Sequence, residues 1–153
     1  MDALVRIESL SPRLLAAVRR TASPAEIPTI FKPALDQVWA FLGRNRGLRT
    51  EGHNVFLYHH VARPEVGMPV DFGVEVVRRF EAEGEVRCVE TPPGRAAVIE
   101  HRGPYSGLPK THAALHAWCA EQKLAIGDFS LEIYGDPSPD PSQTLTTIQY
   151  LLR

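Results

Sequence analysis

The chain has 153 residues, of which 44% are hydrophobic and 23% charged, and a formal net charge of −1 at pH 7. That length and apolar content suit one good core, so one domain spanning residues 1–153 is expected. The near-zero charge offers no basic stripe to neutralise a run of phosphates, which argues against nucleic acid as a direct partner. The longest apolar runs are too short to cross a bilayer, and "MDALVRIESL" lacks the basic and apolar regions of an export signal, so no membrane contact and a cytoplasmic location are expected.

In chain order, "LVRIESL" and "RLLAAVRRT" are rich in branched apolar residues and flank a Ser11-Pro12 turn, which predicts a hairpin over residues 4–21. Ser23-Pro24-Ala25-Glu26 is a capping box with proline at the first helical position. Phe31, Leu35, Val38 and Leu42 then share one helical face, with Pro28 and Pro33 predicting a kinked first turn and Gly43 or Gly47 an end. "HNVFLYHHV" and "VDFGVEVVRRF" read as two strands. "EVRCVETP" and "GRAAVIEHR" repeat the hairpin, residues 104–124 repeat the helix, and "DFSLEIYG" with "TLTTIQYLL" repeat the closing strands across the proline-rich "DPSPDPSQ". Cys88 and Cys119 have no metal-ligand spacing and read as small buried hydrophobes.

The repetition is more than a pattern of elements. Val5-Arg6 recurs as Val86-Arg87, Pro12 as Pro93, Ala16 as Ala97 and Val18 as Ile99, always 81 residues apart. Ala34 and Trp39 answer to Ala113 and Trp118, and Tyr58 to Tyr134. A duplicated domain follows, with repeats over about residues 4–80 and 85–153 and a central groove lined differently on its two sides.

Several chemical sites can be set aside. His112 and His116 are four apart on the second helix, yet Ala113 stands where a zinc peptidase carries glutamate, and solvent exposure is expected for both. His59 and His60 point to opposite strand faces and cannot chelate together, so no metal is expected. "GRNRGLR" is no phosphate loop, and Ser106 and Ser130 lack the nucleophile-elbow glycines. No cofactor is indicated.

"PPGRAAVIEHRGPYSGL", the tryptophan helix "ALHAWCAEQKL" and "LEIYGDPSPDP" before a terminal strand resemble the bacterial effector-binding, or GyrI-like, domain. The resemblance covers nearly the whole chain and implies an α+β fold: duplicated β-α-β-β repeats forming a curved antiparallel sheet, two helices outside, and a central ligand cleft. Many relatives carry the domain behind a DNA-binding helix-turn-helix and sense amphipathic, often cationic drugs. Here residue 1 already enters the first strand, so a stand-alone member is expected. Such members include drug-sequestering proteins, a gyrase-modulating protein and hydrolases of cyclopropane-containing genotoxins.

Within "SLEIYGD", alternation puts Leu131 and Ile133 on one face and Glu132 and Tyr134 on the other. The apolar face is expected to take the helix, leaving Glu132 and Tyr134 in the groove. The resemblance implies that Glu132 is the acidic ligand-contacting residue and that Tyr105, in "HRGPY", borders the cleft. Tyr58 and Phe72 are further aromatic candidates, Phe72 with a core role as its alternative, and Gln149 or Tyr150 on the last strand should reach the cleft beside Glu132. Trp39 and Trp118 are expected to pack the helices onto the sheet.

Three functions remain open. One is a small-molecule binding module for amphipathic cations, with a groove of aromatics around one acid. Another is a hydrolase of strained electrophiles, with Glu132 placing water and Tyr105 or Tyr134 donating to the leaving oxygen. The third is a protein partner, DNA gyrase or a regulator, met by an exposed patch.

Overall fold

The structure, a computed structural model, describes residues 4–136 and 138–153. Its elements are β1 (Arg6–Leu10), β2 (Leu14–Ala22), α1 (Ile27–Arg44), β3 (Arg49–His59), β4 (Met68–Val76), β5 (Arg87–Glu90), β6 (Gly94–Arg102), α2 (Leu108–Glu121), β7 (Ile126–Tyr134) and β8 (Leu145–Leu152). All eight strands join one antiparallel sheet in the order β1-β6-β8-β7-β3-β4-β2-β5. The fold is α+β and duplicated, as the sequence pattern predicts.

The register carries the duplication. Ala16 pairs with Val74 on one side and Cys88 on the other, while Ala97 pairs with Tyr150 and Ile7. Each first-half residue therefore maps to a second-half residue, with an offset of 81 for β2 and 76 for β3 and β4. Register breaks also recur at equivalent places, before Asn54 on β3 and before Ser130 on β7. Such irregularities bend a strand and re-aim its side chains, here on the two strands that meet at the centre.

One expectation fails. Residues 4–21 do not form a hairpin, because β1 pairs with β6 and β2 pairs with β5, so each repeat gives its first strand to the other. The Ser11-Pro12 signal marks a crossing link, not a turn between partners. The same exchange explains the curvature. In a flat sheet the places held by β1 and β2 would lie about 29 Å apart, whereas the link from Leu10 to Leu14 reaches only about 14 Å, so the sheet must curl its ends together. The two links clasp where they cross: Thr91 N–H donates to the Arg13 carbonyl at 2.9 Å, and Arg13 N–H donates to Thr91 Oγ1 at 2.7 Å.

Both faces of the curled sheet are consequently buried. Helix α1 covers Ala16, Val18, Phe56, Val70, Phe72 and Val74, and α2 covers Ala97, Ile99, Ile148 and Tyr150. The opposite face closes on itself through Leu15, Ala17, Val55, Leu57 and Leu131, with Ala96, Val98 and Leu151 beside them. Ser23 N–H donates to Glu26 Oε1 at 2.9 Å, half of the expected capping box, but residues 24–26 form a turn and α1 starts three residues later than the box predicts, at Ile27, then runs unbroken through Pro33. Its buried stripe of Ala34, Leu35, Val38, Phe41 and Leu42 anchors it despite the missing backbone donor. Helix α2 is held by fewer buried residues, Leu108, Leu115 and Cys119, while Cys88 is only half-buried.

Candidate functional site

The central strands β3 and β7 carry neither helix directly above them, and the gap between α1 and α2 opens there into a cleft of about 950 Å³. Its position corrects the assignment of faces. Leu131 and Ile133 pack on the side away from the helices, and Glu132 and Tyr134 point toward the helix-bearing side, into the gap. Since both faces of this sheet are covered, an apolar face need not be the one that takes a helix.

Glu132 is only 5% exposed and lies across from Phe56 on β3 and Ile148 on β8. Three donors meet its carboxylate. The Tyr58 and Tyr134 hydroxyls both donate to Oε1, Tyr134 at 2.6 Å, and His112 Nε2–H donates to Oε2 at 2.8 Å. The carboxylate thereby fixes Nε2 as the protonated nitrogen of His112, so that in the neutral ring Nδ1 accepts from the Tyr150 hydroxyl at 2.7 Å. A hydrogen-bonded chain, Glu132–His112–Tyr150, results. Beside it His60 Nδ1–H donates to the Gly127 carbonyl at 3.0 Å, and its Nε2 accepts from Ser130 Oγ at 2.8 Å.

These contacts set the charge. Burial alone would raise the Glu132 pKa, but hydrogen bonds from His112, Tyr134 and Tyr58 outweigh it and hold the carboxyl below its usual range, so it is ionised at neutral pH. Burial and the adjacent negative charge push Tyr58 and Tyr134 well above the ordinary phenol range, and Tyr150 above it for the same reasons. Burial lowers His60 and His116. At pH 7 the cleft thus holds a buried anion, with the three phenols, His60 and His116 neutral around it.

The walls are unequal. On the first-repeat side stand Phe31, Leu35, Trp39 and Phe56; on the second, Tyr105, His112, His116 and Tyr150. Tyr105 is half-exposed at the mouth, its ring edge-on to Tyr134 with centroids 5.7 Å apart. Of the candidates from sequence, Glu132, Tyr134, Tyr105 and Tyr58 border this cleft, and two do not. Phe72 is fully buried beneath Phe56, edge-on at 4.8 Å. Gln149 points to the other face, where it borders a separate cavity with Leu131 and Thr91; its neighbour Tyr150 reaches the cleft instead. The β8 register, Leu131 opposite Gln149, settles this.

Sequence reasoning missed His112 and misplaced Trp39. His112 is not out in solvent but at the centre of the hydrogen-bond chain, and Trp39 lines the cleft, its indole N–H donating to Asn54 Oδ1 at 3.1 Å. The available signal was a series of i, i+4 steps. Phe31, Leu35 and Trp39 on α1 match Leu108, His112 and His116 on α2 at a constant offset of 77, and all six border the cleft. Among the described residues no three His, Cys, Asp or Glu side chains converge as a metal site, and no helix is long and apolar enough to cross a membrane.

The sequence matches a family described as the GyrI-like small molecule binding domain over residues 4–152. Among solved structures, the chain is similar to the EcmrR C-terminal domain, with 21% identity, a TM-score of 0.82 and coverage of 100% of this chain and 99% of that one. It is also similar to SAV2435 bound to tetraphenylphosphonium, at 10% identity and a TM-score of 0.71, covering 100% and 94% of the two chains. A hydrolase encoded by lin2189 from Listeria innocua gives 12% identity and a TM-score of 0.66, with 97% and 91% covered. At such identities the likeness to these three is one of fold. None of the curated proteins matches the chain.

Proposed function

Since the chain belongs to the GyrI-like small-molecule binding domain family, we propose that it captures amphipathic organic cations in the cleft between α1 and α2. The observation that carries this reading is Glu132: a buried, ionised carboxylate among aromatic and apolar side chains in the cleft, with Arg49 and Asp136 out at its rim. A lipophilic cation gains apolar burial against Phe31, Leu35 and Phe56, and attraction to the rings around Glu132 of about 0.5–2 kcal/mol. A cleft of about 950 Å³ fits a drug-sized molecule. The fold neighbour bound to tetraphenylphosphonium supplies the probe. Calorimetric titration should give saturable binding of that cation, and Glu132→Gln, which keeps the shape and removes the charge, should weaken it by about 1–3 kcal/mol, roughly tenfold to a hundredfold in Kd. Neutral planar ligands should bind both proteins alike. Equal tetraphenylphosphonium affinity in the two proteins would remove Glu132 from the reading.

A second reading is favoured by the Glu132–His112–Tyr150 chain. A carboxylate that orients an imidazole, which in turn holds a hydroxyl at 2.7 Å, is an arrangement able to move a proton at the Tyr150 oxygen. Hydrolysis of a strained neutral electrophile would use it. The discriminating measurement is consumption of a cyclopropane-containing or epoxide probe: an enzyme with Glu132→Gln keeps binding the probe but loses turnover, whereas a pure binding module consumes none in either form.

A further inference from the structure

The second-repeat end of the cleft contains three imidazoles, of which His60 and His116 serve neither reading. His60, just past the end of β3, and His112 and His116 from α2 surround the Tyr150 ring, with centroid separations of 5.4, 5.6 and 4.7 Å. All three border the cleft. His116 makes no side-chain hydrogen bond among the described residues, and His60 and His112 use contacts that survive protonation: a charged ring donates to Ser130 Oγ and to Tyr150 Oη where the neutral ring accepts.

The groups facing these rings leave little to cancel their charge. From β7 come Glu132 and Tyr134, with Asp128 beside His60; from β3 come Tyr58 and His59; from β8 Tyr150; and from the turn before α2, Tyr105. Across the cleft α1 contributes Leu35 and Trp39, both uncharged, and the rim carries Arg49 and the His53–Asp136 pair at 3.3 Å. Glu132 is the carboxylate held among the rings, so protonation of His60 and His116 sets two positive charges against its one negative charge, while the apolar wall of Phe31, Leu35 and Phe56 stays as it was.

We propose that His60 and His116, on either side of the His112–Tyr150 pair, make the charge preference of this cleft reversible with pH, so that it takes lipophilic cations while they are neutral and lipophilic anions once they are protonated. The inference rests on the cleft between α1 and α2 being the ligand seat. Protonation places positive charge on the wall of the cleft itself, so cation and proton compete, and by linkage an anion and the protons favour each other. Partial burial lowers His60 and His116, which puts their protonation below the ordinary imidazole range near 6.5.

Tetraphenylphosphonium and tetraphenylborate are a matched pair, of one size and shape and opposite charge, so the ratio of their affinities cancels apolar burial and reads charge alone. Both would be titrated at pH 8 and pH 5 at fixed ionic strength, with circular dichroism to verify that the protein stays folded. The phosphonium should be preferred at pH 8, weaken about tenfold to a hundredfold at pH 5, and give way to the borate, which moves in the opposite direction. His116→Gln should shrink the swing, and the combination His60→Gln and His116→Gln should remove it. Should the double variant fail to fold, proton NMR of the wild-type His60 and His116 rings gives the same answer: the phosphonium should lower, and the borate raise, the pH at which these rings titrate. An affinity ratio unchanged between pH 8 and pH 5, or rings whose titration ignores both ligands, overturns the inference. Absence of phosphonium binding at pH 8 sinks the cation reading instead. Borate binding then decides the inference alone: growth on acidification upholds it, and none overturns it.

Discussion

Phe56 and Glu132 occupy equivalent positions on the two central strands, and they face each other across β3 and β7. The same relation pairs Leu35 with His112, Trp39 with His116, and Val74 with Tyr150, while Tyr58 and Tyr134 are alike. At Phe56, Leu35, Trp39 and Val74 the first half therefore has an apolar or aromatic residue where the second has Glu132, His112, His116 and Tyr150. The comparison separates what the fold needs from what the chemistry needs, because the first half demonstrates that each of these positions can be filled without a buried charge. A buried carboxylate is unfavourable unless fully satisfied, and here Tyr134 and His112 of the second half and Tyr58 of the first satisfy it.

The largest effect should come from treating the equivalent pair in turn. Phe56 packs against Phe31, Phe72 and Tyr134, so Phe56→Ala should cost about 3–5 kcal/mol in urea unfolding. Glu132→Leu brings the second half closer to the first. It strands three donors that the open cleft lets water reach, and should cost about 1–2 kcal/mol while abolishing phosphonium binding. Equal destabilisation by the two substitutions would mean that Glu132 is part of the scaffold and that the division fails.

Acid should act on the polar half in two steps. His60 has a lowered folded pKa, so the unfolded chain takes its proton first, and the stability that His60 contributes above about pH 6.5 is lost as pH falls toward its folded value. Glu132, also lowered, contributes stability that is present above the ordinary carboxyl range and lost as pH falls through its folded pKa. Unfolding free energy measured from pH 8 to pH 3 should decline over both windows. In Glu132→Gln the lower decline should flatten while the upper one persists; an unaltered acid profile would show that the buried carboxylate gains nothing from its donors.

A smaller loss is expected from Tyr150→Phe. The ring, which Val74 replaces in the other half, remains, and only the hydroxyl facing His112 Nδ1 goes, for about 0.5–1.5 kcal/mol. Chemical denaturation of both proteins at pH 8 checks this, and an effect above about 3 kcal/mol would mean the hydroxyl is integral to the core.

How much of this was legible in the sequence depends on which contacts each feature rests on. The duplicated strands were, because Ala16 and Ala97 need the same small side chain at the same crowded crossing and so preserve an offset of 81. The partners of those strands were not, since Ser11-Pro12 breaks a strand equally well whether the next strand lies alongside or at the far edge of a curled sheet. Glu132 was found by alternation, but on the wrong face, as alternation gives two sets of side chains and cannot say which set a helix covers when both are buried. His112 was invisible because its role depends on Tyr150 and Glu132, which are 38 and 20 residues away in sequence and brought beneath α2 only by the sheet. Gln149 failed for want of a register, which Leu131 opposite it supplies.

The same comparison corrects the two tryptophans. Aligning Trp39 with Trp118 implies an offset of 79, but the cleft-lining series on the helices gives 77, which pairs Trp39 with His116 and Trp118 with Phe41. Trp118 and Phe41 indeed pack into the cores beneath their own helices, whereas Trp39 is 37% exposed at the cleft, with the Arg49 guanidinium 5.4 Å from its ring centre. Trp39→Phe should therefore change stability least of all, by under about 1 kcal/mol, since it loses a half-exposed hydrogen bond and a solvated cation–π contact. Its optical consequence should be larger. A ligand in the cleft touches one tryptophan and not the other, so emission should change on tetraphenylphosphonium binding in Trp118→Phe and stay flat in Trp39→Phe, although calorimetry finds binding in both. Ligand-dependent emission surviving in Trp39→Phe would place the bound molecule beside Trp118, outside the gap between the helices, and the division of the cleft into an apolar and a polar half would no longer describe where ligands sit.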